Sequence, residues 1–220
     1  MPPNGRILSF RAPAILFIVG CPLRPRVLRS LLGALALAVL PAAGPLSAQG
    51  RSGVDLSGRA TNPLDITGGT RATVLIFTRT DCPIANRLLP TVERLRAAYE
   101  PKSIRFWLVF VDPSEPAAAI RQHLTAFDQH STAIRDPRHE LVKMTGATRT
   151  PEAAVFIHEG PASRLVYRGR IDNRYIDVGR ARPKPSSHDL QDALDAALAG
   201  GASGPPRITQ PVGCIIADLE

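Results

Sequence analysis

Two cysteines in unlike surroundings carry the reactive chemistry of this chain. Cys82 stands where an apolar run gives way to an amphipathic one, in ATVLIFTRTDCPIANRLLP over residues 72–90, and Cys214 lies in RITQPVGCII over residues 207–216. A thiolate is a nucleophile and a thiol is a poor one, so the setting of each sulfur decides what it can do. The run TVLIFT (73–78) is β-branched and aromatic, too short for an ordinary helix, and predicts a strand buried on both faces. Beyond it, apolar residues at Ile84, Leu88, Leu89, Val92 and Leu95 keep helical spacing, and Pro83 suits a first turn. Cys82 is therefore expected at a helix N-terminus. Unpaired N–H groups and the positive end of the helix dipole lower a thiol pKa there from about 8.5. Asp81 works against this by like charge, unless its carboxylate turns away to cap the helix.

The third cysteine, Cys21, falls in a segment of different character. Residues 1–48 hold five arginines and no acidic residue, and an apolar run over 31–40 precedes Pro41-Ala42-Ala43-Gly44. That pattern reads as a secretory signal cut near Ala48, with a run too short to span a bilayer. IVGC (18–21) also looks like a bacterial lipobox, a competing reading in which Cys21 is lipidated. An exported location follows, periplasmic or extracellular, with membrane contact only through the export signal. Without the signal, the formal charge falls from +8 to +3, because 22 basic residues face 19 acidic ones. The basic set Arg168, Arg170, Arg174, Arg180, Arg182 and Lys184 is interspersed with Asp172 and Asp177, so it reads as a solvated face rather than a nucleic-acid surface.

Two cysteines remain in the exported chain, enough for one disulfide in an oxidising compartment. The five histidines (123, 130, 139, 158, 188) are scattered and no cysteine pair has zinc-knuckle spacing, so neither metal nor cofactor is expected.

The elements that must position these sulfurs follow from periodicity and breakers. Residues 49–71 read as a loop-rich approach. A second buried strand is predicted over 104–111, a helix over 114–127 with Ser114 as N-cap, a short strand over 132–135, and a short helix over 137–144 ended by Gly146. Strands over 155–158 and 164–170 flank EGPAS as a hairpin. A last helix begins near Ser187 with Leu190, Ala193, Leu194, Ala197 and Leu198 on one face, and residues 201–220 form a flexible linker and cysteine-bearing tail. Alternating strands and helices imply an α/β fold with a parallel core.

LIFTRTDC (75–82), followed by an amphipathic helix containing Pro90, resembles the active-site strand, loop and helix of the thioredoxin superfamily. The closest likeness is to the secreted redoxins of the AhpC/TSA type. Ala85 stands where the thioredoxin pattern has its second cysteine, so a disulfide inside the motif is excluded and two-cysteine chemistry must recruit a distant partner. The resemblance implies a thioredoxin-like fold over residues 72–200, a central mixed sheet flanked by helices. Thr150-Pro151 matches the superfamily's residue pair with a cis peptide beside the reactive cysteine, where backbone groups pair with an extended substrate. An ordinary proline opening a strand is the plainer alternative.

What the resemblance implies about function is an exported thiol-disulfide oxidoreductase. Cys82 attacks, Cys214 resolves the mixed disulfide, and the partners are protein thiols or disulfides with a thioredoxin-like reductant. Against this stand an inert buried Cys82 and a Cys214 merely packed by Val212, Ile215 and Ile216. Two further readings share the fold. One is a peroxiredoxin-like antioxidant peroxidase acting on peroxides, although Arg79 and Leu75 occupy the positions where peroxiredoxins usually place threonine and proline. The other is a copper chaperone of the Sco type on CPIAN (82–86), with Asn86 in place of the second cysteine and His158 as an added ligand.

Overall fold

The computed structural model describes residues 52–66, 68–200 and 203–217, so the segment read as an export signal, the lipobox-like IVGC and Cys21 lie outside the described residues. The chain begins with β1 (Gly53–Asp55) and β2 (Ala60–Thr61), then enters β3 (Ala72–Thr78), whose seven residues are all buried. α1 (Pro83–Tyr99) leads to β4 (Ile104–Phe110), α2 (Ala117–Ala126), β5 (Thr132–Arg135) and α3 (Glu140–Thr145). β6 (Arg149–Thr150) precedes the hairpin of β7 (Glu152–Glu159) and β8 (Ala162–Gly169). β9 (Tyr175–Asp177), β10 (Arg180–Ala181), α4 (Asp189–Leu198), β11 (Arg207–Ile208) and β12 (Cys214–Ile215) complete the described fold.

Eight strands form the main sheet in the order β11-β8-β7-β3-β4-β5-β1-β2. β3 runs parallel to β4 and antiparallel to β7, with Ile76 opposite Leu108 on one side and Ala153 on the other. The fold is thus a central mixed sheet with helices on its faces, as the resemblance implies. Side chains along β3 alternate between two cores. Val74 and Ile76 join Leu88, Leu89 and Val92 of α1 and Leu190 and Leu194 of α4, while Leu75 and Phe77 join Leu141 and Val142 of α3. Burial of each such side chain stabilises the fold by about 1.5–3 kcal/mol, which explains why this strand carries no polar alternation.

Three expectations about local structure change. α2 begins at Ala117, because the Asp112 carboxylate takes both the Ser114 N–H (2.8 Å) and the Ser114 hydroxyl (2.6 Å) in a turn, so Ser114 caps no helix. α3 begins at Glu140, where the Asp136 carboxylate accepts from the Glu140 and Val142 N–H groups at 2.8 and 2.9 Å. Gly146 closes it in the left-handed conformation, at φ 72°. The third change concerns the ends of the domain. β1 pairs with β5, β11 runs parallel to β8 with Arg207 opposite Tyr167, and β12 pairs with β6. Two parts of the stretch read as a linker and tail are therefore held by backbone bonds, residues 207–209 to β8 at the edge of the main sheet and residues 214–216 to the segment of β6.

Candidate active site

β3 ends at Thr78, and residues 79–82 carry the chain from the centre of the sheet into α1. Cys82 is the N-cap of that helix, with extended backbone (φ −83°, ψ 108°), and Pro83 opens the first turn. Its side chain is fully buried. Cys82 Sγ lies 3.1 Å from the Thr150 carbonyl oxygen, to which it donates when protonated, and 2.7 Å from Cys214 Sγ. Both thiols are free. A disulfide bond of about 2.05 Å therefore needs the sulfurs to close by less than an ångström.

The Thr150-Pro151 peptide is cis. Cys214 reaches the site because β12 lies antiparallel to β6, with Cys214 opposite Thr150 and Ile215 opposite Arg149. The contact is extended by the Ile216 N–H, which donates to Thr148 O at 3.0 Å, and by Arg149 Nη1, which donates to Gly213 O at 3.0 Å. Gly213 permits it: a Cβ there would sit 2.0 Å from Thr150 O. On either side, Val212 packs against the first core and Ile216 is buried in the second.

The loop before Cys82 is held by charges that its own sequence window does not explain. Arg79 pairs with Asp81 through Nε–Oδ1 and Nη2–Oδ2, each 3.0 Å, and with Asp112 Oδ2 at 3.0 Å. Asp81 is accordingly turned toward Arg79 and caps nothing, which decides between the two orientations open to it. Buried Glu115 accepts the Thr80 N–H and hydroxyl, both at 2.7 Å. Asn86 donates to Thr80 O at 2.8 Å and its Oδ1 meets His123 Nε2 at 2.8 Å. Behind the cis peptide, buried Glu152 accepts the N–H groups of Thr148 (2.8 Å) and Arg149 (3.2 Å) and pairs with Arg168. Arg79, Glu115, His123 and Glu152 were missed at the level of sequence. A carboxylate directly after Thr-Pro and before an apolar run was the one signal available, for Glu152.

The two sulfurs are electrostatically unequal. Burial raises the Cys82 pKa. It is outweighed by the Cys214 thiol, followed by Thr150 and by the N–H groups of Ala85 and Cys214, so the net shift is downward. Burial also raises Cys214, and there the bond to Cys82 and the charges of Cys82 and Asp81 push further up. Of the reduced pair, Cys82 is therefore the sulfur that gives up its proton first.

The copper set suggested by CPIAN is not assembled. His158 sits on β7 opposite the start of β3, bonded to Thr73 Oγ1 and Ser163 Oγ at 2.9 Å each, whereas Cys82 follows the other end of β3. Among the described residues there is no group of three or more His, Cys, Asp and Glu side chains placed to hold a metal ion. Nor, among them, is any helix long and apolar enough to cross a membrane.

A strand at the sheet centre, parallel to one neighbour and antiparallel to the other, with a cysteine at the next helix start and a cis-proline beside it, defines a thioredoxin-like fold. Solved structures share it. An uncharacterized conserved protein from Geobacillus kaustophilus matches with 22% identity and a TM-score of 0.62, over 75% of this chain and 86% of that one. A hypothetical protein, SMc02350, from Sinorhizobium meliloti 1021 matches with 21% identity and a TM-score of 0.59, over 75% and 88%. A secreted Mycobacterium tuberculosis disulfide oxidoreductase homologous to E. coli DsbE is more distant, at 17% identity and a TM-score of 0.45, over 68% and 94%. No protein-family model matches the chain, and no curated protein matches it.

Proposed function

We propose that this protein is an exported thiol-disulfide oxidoreductase of the redoxin type, cycling between a Cys82, Cys214 dithiol and a Cys82–Cys214 disulfide. The observation that supports it most is the 2.7 Å approach of the two sulfurs, one at a helix N-terminus and one on a strand laid beside the cis peptide. When the tail strand lifts, the Cys82 thiolate attacks a substrate disulfide, forming a mixed disulfide and releasing one substrate thiolate. Cys214 then gives up its proton and attacks Cys82 Sγ, which closes the Cys82–Cys214 bond and expels the second substrate thiolate. Two electrons pass to the substrate, and run backward the same steps oxidise a substrate dithiol. Substrates are protein thiols or disulfides, and Thr150 and Pro151 are the residues against which an extended substrate segment lies once β12 has left.

Peptide mapping of the exported protein, alkylated before and after reduction and with or without a peroxide pulse, tests this. A Cys82–Cys214 disulfide within one chain, reversed by a dithiol, is the expected result. Its formation no faster with peroxide than with a disulfide substrate distinguishes exchange from peroxidase chemistry. Two free cysteines after oxidant treatment, with Cys82 inert to alkylation in the folded protein, would overturn the redox reading. A free terminus near Gln49 in the same sample is the mark of export by signal cleavage.

A further inference from the structure

The two sulfurs of the proposed disulfide are not equally open to a third. Cys82 is fully buried and packed into the core under α1, whereas Cys214 is only half-buried. Cys214 also lines an apolar cavity of about 250 Å³ with Pro83, Ile84 and Arg87 of α1 and Val178 and Ala181 around the β9–β10 turn. We infer, resting on the disulfide reading above, that an external thiol reduces the protein at Cys214 and not at Cys82, seating an apolar side chain in this cavity as it attacks.

A thiolate displaces sulfur from the side opposite the leaving sulfur, so the space behind the attacked atom decides which of the pair is reachable. Behind Cys82 lies the packed interior, with the Thr150 carbonyl beside it. Cys214 has the open cavity at its side. While the disulfide is closed it also tethers β12 over Cys82, so the tail movement that exposes Cys82 in the dithiol form is unavailable. The leaving group favours the same choice, since the site lowers the Cys82 pKa and raises that of Cys214, and a lower-pKa thiol leaves faster.

The walls specify the visitor. Pro83, Ile84, Val178 and Ala181 present carbon, and Val178, 67% exposed, carries that apolar surface to the cavity mouth. Arg87 stands at the cavity with no hydrogen bond or ion pair among the described residues, a free positive charge for an arriving thiolate. The volume falls below the ~300–1,000 Å³ of pockets that enclose whole small ligands and suits one large side chain. The occupant is therefore a dithiol protein reductant with a bulky apolar residue next to its attacking cysteine. Its thiolate bonds to Cys214 Sγ as the Cys214–Cys82 bond breaks and the electron pair leaves on Cys82. Its second thiolate then attacks the reductant's own sulfur in the mixed disulfide and releases Cys214, which takes up a proton. The reductant becomes a disulfide and the protein gains two electrons.

Monothiol peptides that cannot complete the second step capture the first. The oxidised protein is mixed with a cysteine peptide flanked by leucine and tryptophan, or with one flanked by glutamate, acid-quenched and mapped by mass spectrometry. The expected adduct is on Cys214 with Cys82 free, and the apolar peptide reacts about ten-fold faster, as partial burial of one apolar side chain implies. Val178→Ser, an exposed substitution that takes carbon from the wall and adds no charge, lowers the ratio of apolar to acidic peptide rates, each taken relative to the rate of the same protein with 2-mercaptoethanol. An adduct first on Cys82 overturns the choice of sulfur, and an apolar preference that survives Val178→Ser undiminished overturns the cavity. Absence of the Cys82–Cys214 disulfide from the starting protein strikes instead at the reading beneath.

Discussion

Thr150 and Cys214 face each other across the pairing of β6 and β12, and the Thr150 carbonyl oxygen lies 3.1 Å from Cys82 Sγ. One residue thus bonds the Cys82 sulfur and pairs with the residue that carries the other, and β12 occupies the backbone edge of β6. The geometry of this edge, more than the composition of the loop around Cys82, determines what the site can do.

Gly213→Ala tests that edge most directly. The added carbon would meet Thr150 O at 2.0 Å and Thr150 C at 2.7 Å, both backbone atoms, so β12 must move away from β6. A displacement of about 1 Å between reacting groups lowers rates by up to about 10²-fold. We expect disulfide formation to slow on that scale, while iodoacetamide labels Cys82 faster in the reduced variant than in the parent. Labelling followed by mass spectrometry reads both, and unchanged rates would show that the tail holds the sulfurs together by other contacts.

Cys214 lowers the Cys82 pKa by donating a hydrogen bond, so the two obvious replacements should differ. Cys214→Ser keeps a donor and should keep Cys82 below its ordinary thiol value. In Cys214→Ala the donor is lost while the covering strand remains, and the Cys82 pKa should rise. Thiolate absorbance in the ultraviolet, followed across pH, distinguishes them. Coincident titration curves would count against the hydrogen bond as a cause.

How much of this was readable beforehand depends on whether the relevant contact is local. The switch from a buried run at Thr73 to helical spacing after Pro83 placed Cys82 at a helix start, because both signals lie within one window. The match of Thr150-Pro151 marked the cis peptide for a similar reason. The pairing of Cys214 with Cys82 spans 132 positions, and an apolar string such as VGCII can pack in many grooves. The close approach that Gly213 allows, with the bonds of Arg149 and Ile216 across the same pairing, selects this one, and none of these contacts is local. Asp81 shows the same limit. Its orientation is set jointly by Arg79 two residues away and by Asp112, which Arg79 also binds from 33 residues distant. Ser114 was misread because a preceding carboxylate captured the hydroxyl a cap would have used.

Glu115 makes a pH-dependent contribution whose sign can be worked out. Burial raises its pKa above 4.5, with the nearby Asp112 and Asp81 charges adding to it, so the folded protein keeps the proton at pH values where the unfolded chain has released it. Its effect on stability is therefore most favourable below about pH 4.5 and declines as pH rises through the raised folded value. Glu115→Gln keeps an acceptor for Thr80 and removes the charge, so this slope should vanish with little loss of stability at neutral pH. Glu115→Ala leaves the Thr80 N–H without its partner and should cost about 1–3 kcal/mol. Urea denaturation at several pH values compares the three proteins, and an unchanged slope in Glu115→Gln would assign it to another group.

Thr209 fastens the tail where it joins the sheet. Its hydroxyl oxygen accepts the Arg170 N–H at 3.1 Å and meets Tyr167 Oη at 2.7 Å, and its own N–H donates to Arg168 O at 3.0 Å. Thr209→Val preserves shape and removes the hydroxyl. Tyr167 keeps Arg170 O as a partner at 2.6 Å, but the Arg170 N–H loses its acceptor, and the expected loss of stability is about 1–3 kcal/mol. The consequence for the site depends on redox state. In the dithiol form the tail is then held by the β11 and β12 pairings and by the packing of Val212 and Ile216, without the hydroxyl anchor, and a protease should cut after residue 200 faster than in the parent chain. In the disulfide form the covalent link from Cys214 to Cys82 holds the far end of the tail, so the same substitution should accelerate cleavage much less. Limited proteolysis of both redox forms, with and without Thr209→Val, reads the difference. Equal acceleration in the two forms would mean that the disulfide does not restrain the tail.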